Sequence, residues 1–89
     1  MTNFTINRTE YFLIDLHRHR KNHELVNQLE KKIKHLEENA DNSGKELSGK
    51  LAGLKSLRIM KNFRLIFKVK LAEKQVFLMA IDHRSTVYQ

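Results

Sequence analysis

The sequence contains no cysteine. Disulfides and thiolate metal sites are therefore excluded, and the folding energy must come from packing alone, as suits a reducing, cytoplasmic setting. No stretch of about 18 consecutive apolar residues occurs, and the opening MTNFTINRTEY lacks a basic segment followed by a long apolar run. Neither a membrane span nor an export signal is expected. A phosphate-cradling glycine loop, a Ser/His/Asp arrangement, an internal repeat and a low-complexity segment are also missing. The five histidines show no metal-site spacing, with only His17 and His19 close together, so no metal or other cofactor is expected.

Acids are scarce in one half. Residues 1–44 hold seven Lys/Arg against seven Asp/Glu, whereas residues 45–89 hold ten against three (Glu46, Glu73 and Asp82), so the entire +7 lies in the second half. Such an asymmetry points to a polyanionic partner, nucleic acid first. The plainer alternative is a basic surface that only keeps the protein soluble. A length of 89 residues corresponds to one domain, near the small end of what an apolar core holds together unaided.

The periodicity divides the chain in two. Residues 2–6 alternate polar and apolar and suit a short strand, with Asn7 as N-cap of a helix from about Arg8 to Lys21 and Glu10 three residues on. That helix ends in the cationic run His17, Arg18, His19, Arg20 and Lys21, which favours the negative pole of its dipole. A second helix is marked by Leu25, Leu29, Ile33, Leu36 and Ala40, one buried stripe, and pairs with the first as an antiparallel hairpin turning near Asn22–His23. The stripe covers too few heptads for a coiled coil. Gly44 supplies the permissive backbone that closes the helix. On this view residues 1–50 are scaffold.

From Leu54 the period becomes that of strands: Leu54–Met60, a turn at Lys61-Asn62, Phe63–Leu71, a turn at residues 72–74, and Gln75–Ile81. Phe63, Leu65, Phe67, Val69 and Leu71 share one face and would cover the helices. Gln75–Ile81 is nearly continuous in apolar residues and reads as a central strand. The expected fold class is α+β, an N-terminal strand and a two-helix hairpin followed by a three-stranded antiparallel meander.

Alternation then assembles a cationic face. Arg58 on the first of these strands and Arg64 and Lys68 on the second point away from the helices, with Lys74 expected nearby, and guanidiniums on a sheet face suit phosphodiesters. The tail Asp82-His83-Arg84-Ser85-Thr86-Val87-Tyr88 follows the central strand and should lie at the edge of the same face. The His83 imidazole can take up or release a proton, and Tyr88 can donate one or, beside cations, accept one. RNA cleavage needs a base, a positive clamp on the phosphorane and an acid, and Arg, His and Tyr side chains supply all three without metal. Each group also has a structural alternative: Arg64 paired with Asp82, His83 as a surface histidine, Tyr88 as a packed terminal aromatic, and Lys50, Lys55, Lys61 and Lys70 as solvated charge.

Residues 51–88 resemble the toxins of type II toxin–antitoxin modules, the RelE/ParE superfamily. The segments that carry the resemblance are LAGLKSLRI, FRLIFKV and IDHRSTVY: a Leu-x-Gly, a strand ending in Arg-Ile, an aromatic-Arg-Leu-Ile-aromatic strand and a terminal His-Arg-x-x-x-Tyr. The strand–helix–helix order upstream fits as well. The resemblance implies a compact fold like that of small microbial ribonucleases. For the favoured RelE/YoeB-like branch it implies metal-independent, ribosome-dependent endonucleolytic cleavage of mRNA in the A site, hence inhibited translation and growth arrest. The alternatives are a ParE-like inhibitor of DNA gyrase and an inactive basic module that binds RNA or antitoxin. By position, Arg64 matches the family's phosphate-binding strand arginine, and His83, Arg84 and Tyr88 match its catalytic tail. Arg58 and Lys55 match more loosely, Lys68 and Lys61 complete the phosphate-binding set, and Glu46 lies near a glutamate that some members use as a base. The implied partners are mRNA on the ribosome and a cognate antitoxin, bound as a hetero-oligomer along an apolar groove of the helices and sheet edge.

Overall fold

The computed structural model describes residues 3–83. Their order is β1 (Thr5–Arg8), α1 (Glu10–Arg18), α2 (His23–Asn39), β2 (Lys45–Glu46), β3 (Lys55–Ile59), β4 (Phe63–Lys70) and β5 (Gln75–His83). The fold is α+β, as expected, but the sheet is larger than a meander. Its order is β1-β5-β4-β3-β2, with β1 parallel to β5 and every other pair antiparallel. β1 and the two-residue β2 extend the meander on both sides, which places β5 inside the sheet and leaves β4 at its centre.

The first helix is shorter than its periodicity implied. Asn7 belongs to β1, where its side-chain amide donates to Gln75 Oε1 (2.7 Å) and to the Val76 carbonyl (3.1 Å). Thr9 is the N-cap instead. Its Oγ1 accepts from the Phe12 N–H (3.3 Å) and donates to the Leu78 carbonyl (2.6 Å), so one hydroxyl both starts α1 and ties it to β5. The cationic run splits: α1 ends at Arg18, and residues 19–22 form the turn into α2, which Asn22 caps by accepting from the Leu25 N–H (3.1 Å).

One core joins the helices to one face of the sheet. Phe12 of α1, with Leu25, Leu29, Ile33, Leu36 and Ala40 along α2, meets Ile59, Phe63, Leu65, Phe67, Val76, Leu78 and Ile81. Leu71, expected on this face, instead lies in the turn after β4 and is exposed. The central strand is not buried evenly: Val76, Leu78 and Ile81 are buried, while Phe77, Met79 and Ala80 are half-buried. β5 gains one residue against β4 at Met79, because Ala80 pairs with Ile66 and Leu78 with Phe67. This β-bulge restores Val76, Leu78 and Ile81 to one side. Asp15 on α1 accepts from the Ile81 N–H just beyond the bulge (3.0 Å), satisfying a backbone donor at the irregularity.

Gly44, with φ of 76°, turns the chain out of the second helix as the sequence implied. It has a second constraint, since a Cβ there would lie 2.7 Å from the Ser56 carbonyl oxygen and 3.1 Å from Phe67 Cζ. The position therefore needs glycine for both conformation and close approach of β2 to the sheet. No described helix is long and apolar enough to cross a membrane.

Candidate nucleic-acid interface

The β3–β4 hairpin builds the site. Met60 takes a left-handed conformation (φ 59°), unusual for a side chain of its size, and the chain reverses within residues 60–62. That turn sets the register Ile59↔Phe63, Arg58↔Arg64, Leu57↔Leu65, Ser56↔Ile66 and Lys55↔Phe67. Alternation then sends Lys55, Leu57 and Ile59 toward the helices, and Ser56 and Arg58 to the other face with Arg64, Ile66 and Lys68.

Arg58 and Arg64 are thus direct cross-strand partners. Among the described residues neither has an ion-pair partner. Like charges directly opposite one another on a sheet are destabilising. Asp82, opposite Arg64 on the other neighbouring strand, offsets part of that cost, and a phosphate between the two arginines offsets more, with charge-assisted hydrogen bonds in the fork geometry of guanidinium. The two arginines, with Gly44, Lys45, Ser56 and Leu57, line an open hollow of about 350 Å³. Lys45 joins them because β2 pairs Lys45 with Ser56 and Glu46 with Lys55, so Lys45 follows the arginine face and Glu46 the other. The sequence had suggested Glu46 for this neighbourhood and passed over Lys45; the signal available was strand alternation, but a two-residue strand is too short to show it.

The remaining candidates are distributed more widely than the sequence implied. Lys68 is on the arginine face, exposed, opposite Phe77 in register. Lys61 lies in the β3–β4 turn, lining a neighbouring hollow with Arg58, Met60 and Glu24. Lys55 is turned to the helix side. Its Nζ donates to the carbonyls of Asp41 (3.2 Å) and Ala40 (3.4 Å) where α2 ends, and sits 6.0 Å from the Phe67 ring centroid. It neutralises the negative end of that helix and is not part of the arginine hollow. Lys74 likewise sits over Phe4, 5.0 Å from the ring centroid, rather than beside Lys68.

His83 also lies on the other side. It pairs with Phe63, and its ring stacks on the Phe63 ring (centroids 4.5 Å apart, planes 11° apart), while His19 meets the same phenyl edge-on at 5.3 Å. Asp82, one residue earlier, is the register partner of Arg64. The expectation that His83 shares the arginine face therefore fails for a local reason: in a strand, consecutive side chains alternate, and Phe63 offers an aromatic surface to the residue opposite it. Arg84 and Tyr88 lie outside the described residues. Groups of three or more His, Asp or Glu fit to hold a metal do not occur among the described residues.

Comparison with known proteins places this geometry. No protein-family model and no curated protein matches the sequence. Solved structures do match. A chain of the toxin–antitoxin complex RelBE2 from Mycobacterium tuberculosis is 27% identical, with a TM-score of 0.79, and 94% of each chain is covered. The YoeB/ParE toxin from Agrobacterium tumefaciens has a TM-score of 0.77 at 17% identity, covering 92% of this chain and 100% of that one. YafQ from E. coli strain BL21(DE3) has a TM-score of 0.74 at 16% identity, covering 97% and 99%. The last two likenesses concern the fold. The shared architecture, matched nearly end to end, and the identity to the RelBE2 chain together place this protein in the RelE/ParE superfamily of toxins from toxin–antitoxin systems.

Proposed function

We propose that this toxin is a ribosome-dependent, metal-independent endoribonuclease that cleaves mRNA in the A site and is neutralised by a cognate antitoxin in the cytoplasm. The observation that carries the reading is the cross-strand pair Arg58–Arg64, two guanidiniums held opposite one another that form no ion pair among the described residues, with Lys45 beside them and Asp82 opposite Arg64 on β5. Such a pair suits a phosphate that gains charge in the transition state. In-line attack of the 2′-hydroxyl forms a crowded, dianionic phosphorane, and the preformed donors bind it more tightly than the ground state. Arg64 and Arg58 clamp the scissile phosphate, Lys68 and Lys61 hold neighbouring phosphates, and the tail supplies Arg84 and the proton-transferring group Tyr88; His83, stacked on Phe63 on the helix side, takes no part in the transfer. Lys55, engaged by the end of α2, is left out of the RNA contacts.

In a cell-free translation reaction the purified toxin should cut mRNA at the A site. Arg64→Ala should abolish most cleavage, and Tyr88→Phe should lower kcat with little change in ribosome binding. Intact mRNA beside arrested ribosomes would sink the proposal. A gyrase-directed poison is the second reading, favoured by the position of His83 on the far side of the sheet from the arginines. Inhibition of supercoiling by the pure protein, with mRNA left whole, selects it.

A further inference from the structure

The arginine hollow does not end at the sheet. It shares Leu57 with a second hollow of about 420 Å³, lined by Gln28, Lys31, Lys32, His35, Asn42 and Ser43. It shares Arg58 with a third, of about 580 Å³, lined by Glu24, Gln28, Lys32, Met60 and Lys61. Those two share Gln28 and Lys32 with each other. The three are one trough that leaves the open face of the sheet, crosses the outer edge of β3 and follows a flank of α2.

Three features of this trough suit a nucleic-acid backbone. The first is charge segregation on α2. Gln28, Lys31, Lys32 and His35 recur at helical spacing along the flank facing β3, while the opposite flank carries Glu30, which is ion-paired with Arg8 (2.8 Å), and Glu37. Glu24 is the one carboxylate among the residues lining the trough's α2 flank, at its far end. The second is the edge it crosses. β2 pairs only with Lys55 and Ser56, so Leu57, Arg58 and Ile59 have no strand on their outer side among the described residues. Their outward backbone groups are free to meet ribose and phosphate oxygens. The third is composition: long cationic side chains beside polar ones, with Leu57 and Met60 as the apolar members, a lining that suits phosphates better than an apolar peptide face.

We infer that this trough is a second RNA-backbone contact, in which Lys31 and Lys32 of α2 hold phosphates of a strand that continues from the Arg58–Arg64 pair around the edge of β3. The inference rests on the proposed function and extends it to a part of the chain whose net charge is zero. Because the strand is continuous with the one the arginines clamp, the phosphates are those of the mRNA flanking the cleavage site.

The test compares the full-length Lys31→Gln/Lys32→Gln variant with the parent in two binding assays across a salt series. One assay uses a labelled 20-nucleotide single-stranded RNA, the other purified ribosomes without mRNA. Loss of two phosphate contacts should lower the slope of log affinity against log salt by about 1.4 for single-stranded RNA. An effect on free RNA supports the inference, and an effect confined to ribosomes overturns it in favour of ribosomal RNA. Lys34→Gln, on the opposite flank of α2, should change neither. Both substituted lysines lie on a helix surface, and an unchanged melting temperature shows that the variant is folded. An unchanged slope in both assays overturns the inference and leaves the β3 edge open to a protein strand. Arg58→Gln/Arg64→Gln, measured in parallel, reports on the proposed function separately: if it lowers the slope and the lysine variant does not, only the trough is lost.

Discussion

The two faces of the sheet are made by the same strands from alternate residues, yet they do opposite work. Toward the helices, Phe63, Leu65 and Phe67 of β4 are buried beside Val76, Leu78 and Ile81 of β5, and even a lysine on this side, Lys55, is spent on the carbonyls that end α2. Away from the helices the same strands present Arg58, Arg64 and Lys68, and among described residues the first two have no ion-pair partner. The lysine on the closed face is bonded internally; the two arginines on the open face, although Asp82 lies opposite Arg64, form no ion pair among the described residues and stay available to something outside the chain. A charge count along the sequence cannot make this distinction, because Lys55 and Arg58 are three residues apart and count alike.

Substitutions should separate the two faces, and the largest effect is expected on the closed one. Phe67→Ala, which empties a fully buried ring site at the centre of the sheet, should cost about 3–5 kcal/mol in denaturant unfolding. A loss below 1 kcal/mol would mean that the helices do not seal that face. Next, Arg58→Ala/Arg64→Ala should lower cleavage about 100-fold or more, by analogy with the loss of oxyanion donors, while leaving the melting temperature unchanged or raised, since it removes two opposed like charges. A matching fall in stability would show that the pair is structural.

Asp15→Ala tests the join between α1 and the end of β5. Leaving the Ile81 amide unsatisfied should cost about 1–3 kcal/mol, and hydrogen exchange should accelerate at Ile81 more than at Leu65 in the middle of β4. Equal acceleration at both would indicate global rather than local loosening. The smallest effect is expected for Lys55→Gln. It should reduce stability by about 0.5–1 kcal/mol through the lost bonds to the end of α2, yet leave the salt dependence of RNA binding as it was. A reduced salt slope would return Lys55 to the RNA contacts.

Much of this was legible in the residues. Leu25, Leu29, Ile33 and Leu36 announce α2 because a 3.6-residue period needs no partner to be seen. β4 announces itself by alternation over eight residues, and with it the segregation of Arg64 and Lys68 from Phe63, Leu65 and Phe67. Other features depended on what lies across space. Asn7 and Thr9 are both good caps, and β1 recruiting Asn7 as a neighbour of Gln75 and Val76 left the role to Thr9. β2 is two residues long, below the length at which a period can be read, so Lys45 and Glu46 could not be assigned to faces. Lys31 and Lys32 were hidden by the acids that balance them in sequence but lie on the other flank of the helix.

What the sequence determined by itself is the set of elements, the core stripe and the cationic character of Arg58, Arg64 and Lys68, because these follow from local period and parity. The tertiary structure decided which cations are shared outward and which are used inside. That choice depends on where α2 ends against Lys55, on the three-residue turn that sets Arg58 opposite Arg64, and on Phe63 drawing His83 to the helix side. The first and the last join residues far apart along the chain and form only when the sheet closes on its helices, and the turn, one residue longer than the Lys61-Asn62 turn that the sequence implied, sets a register that the shorter turn would not.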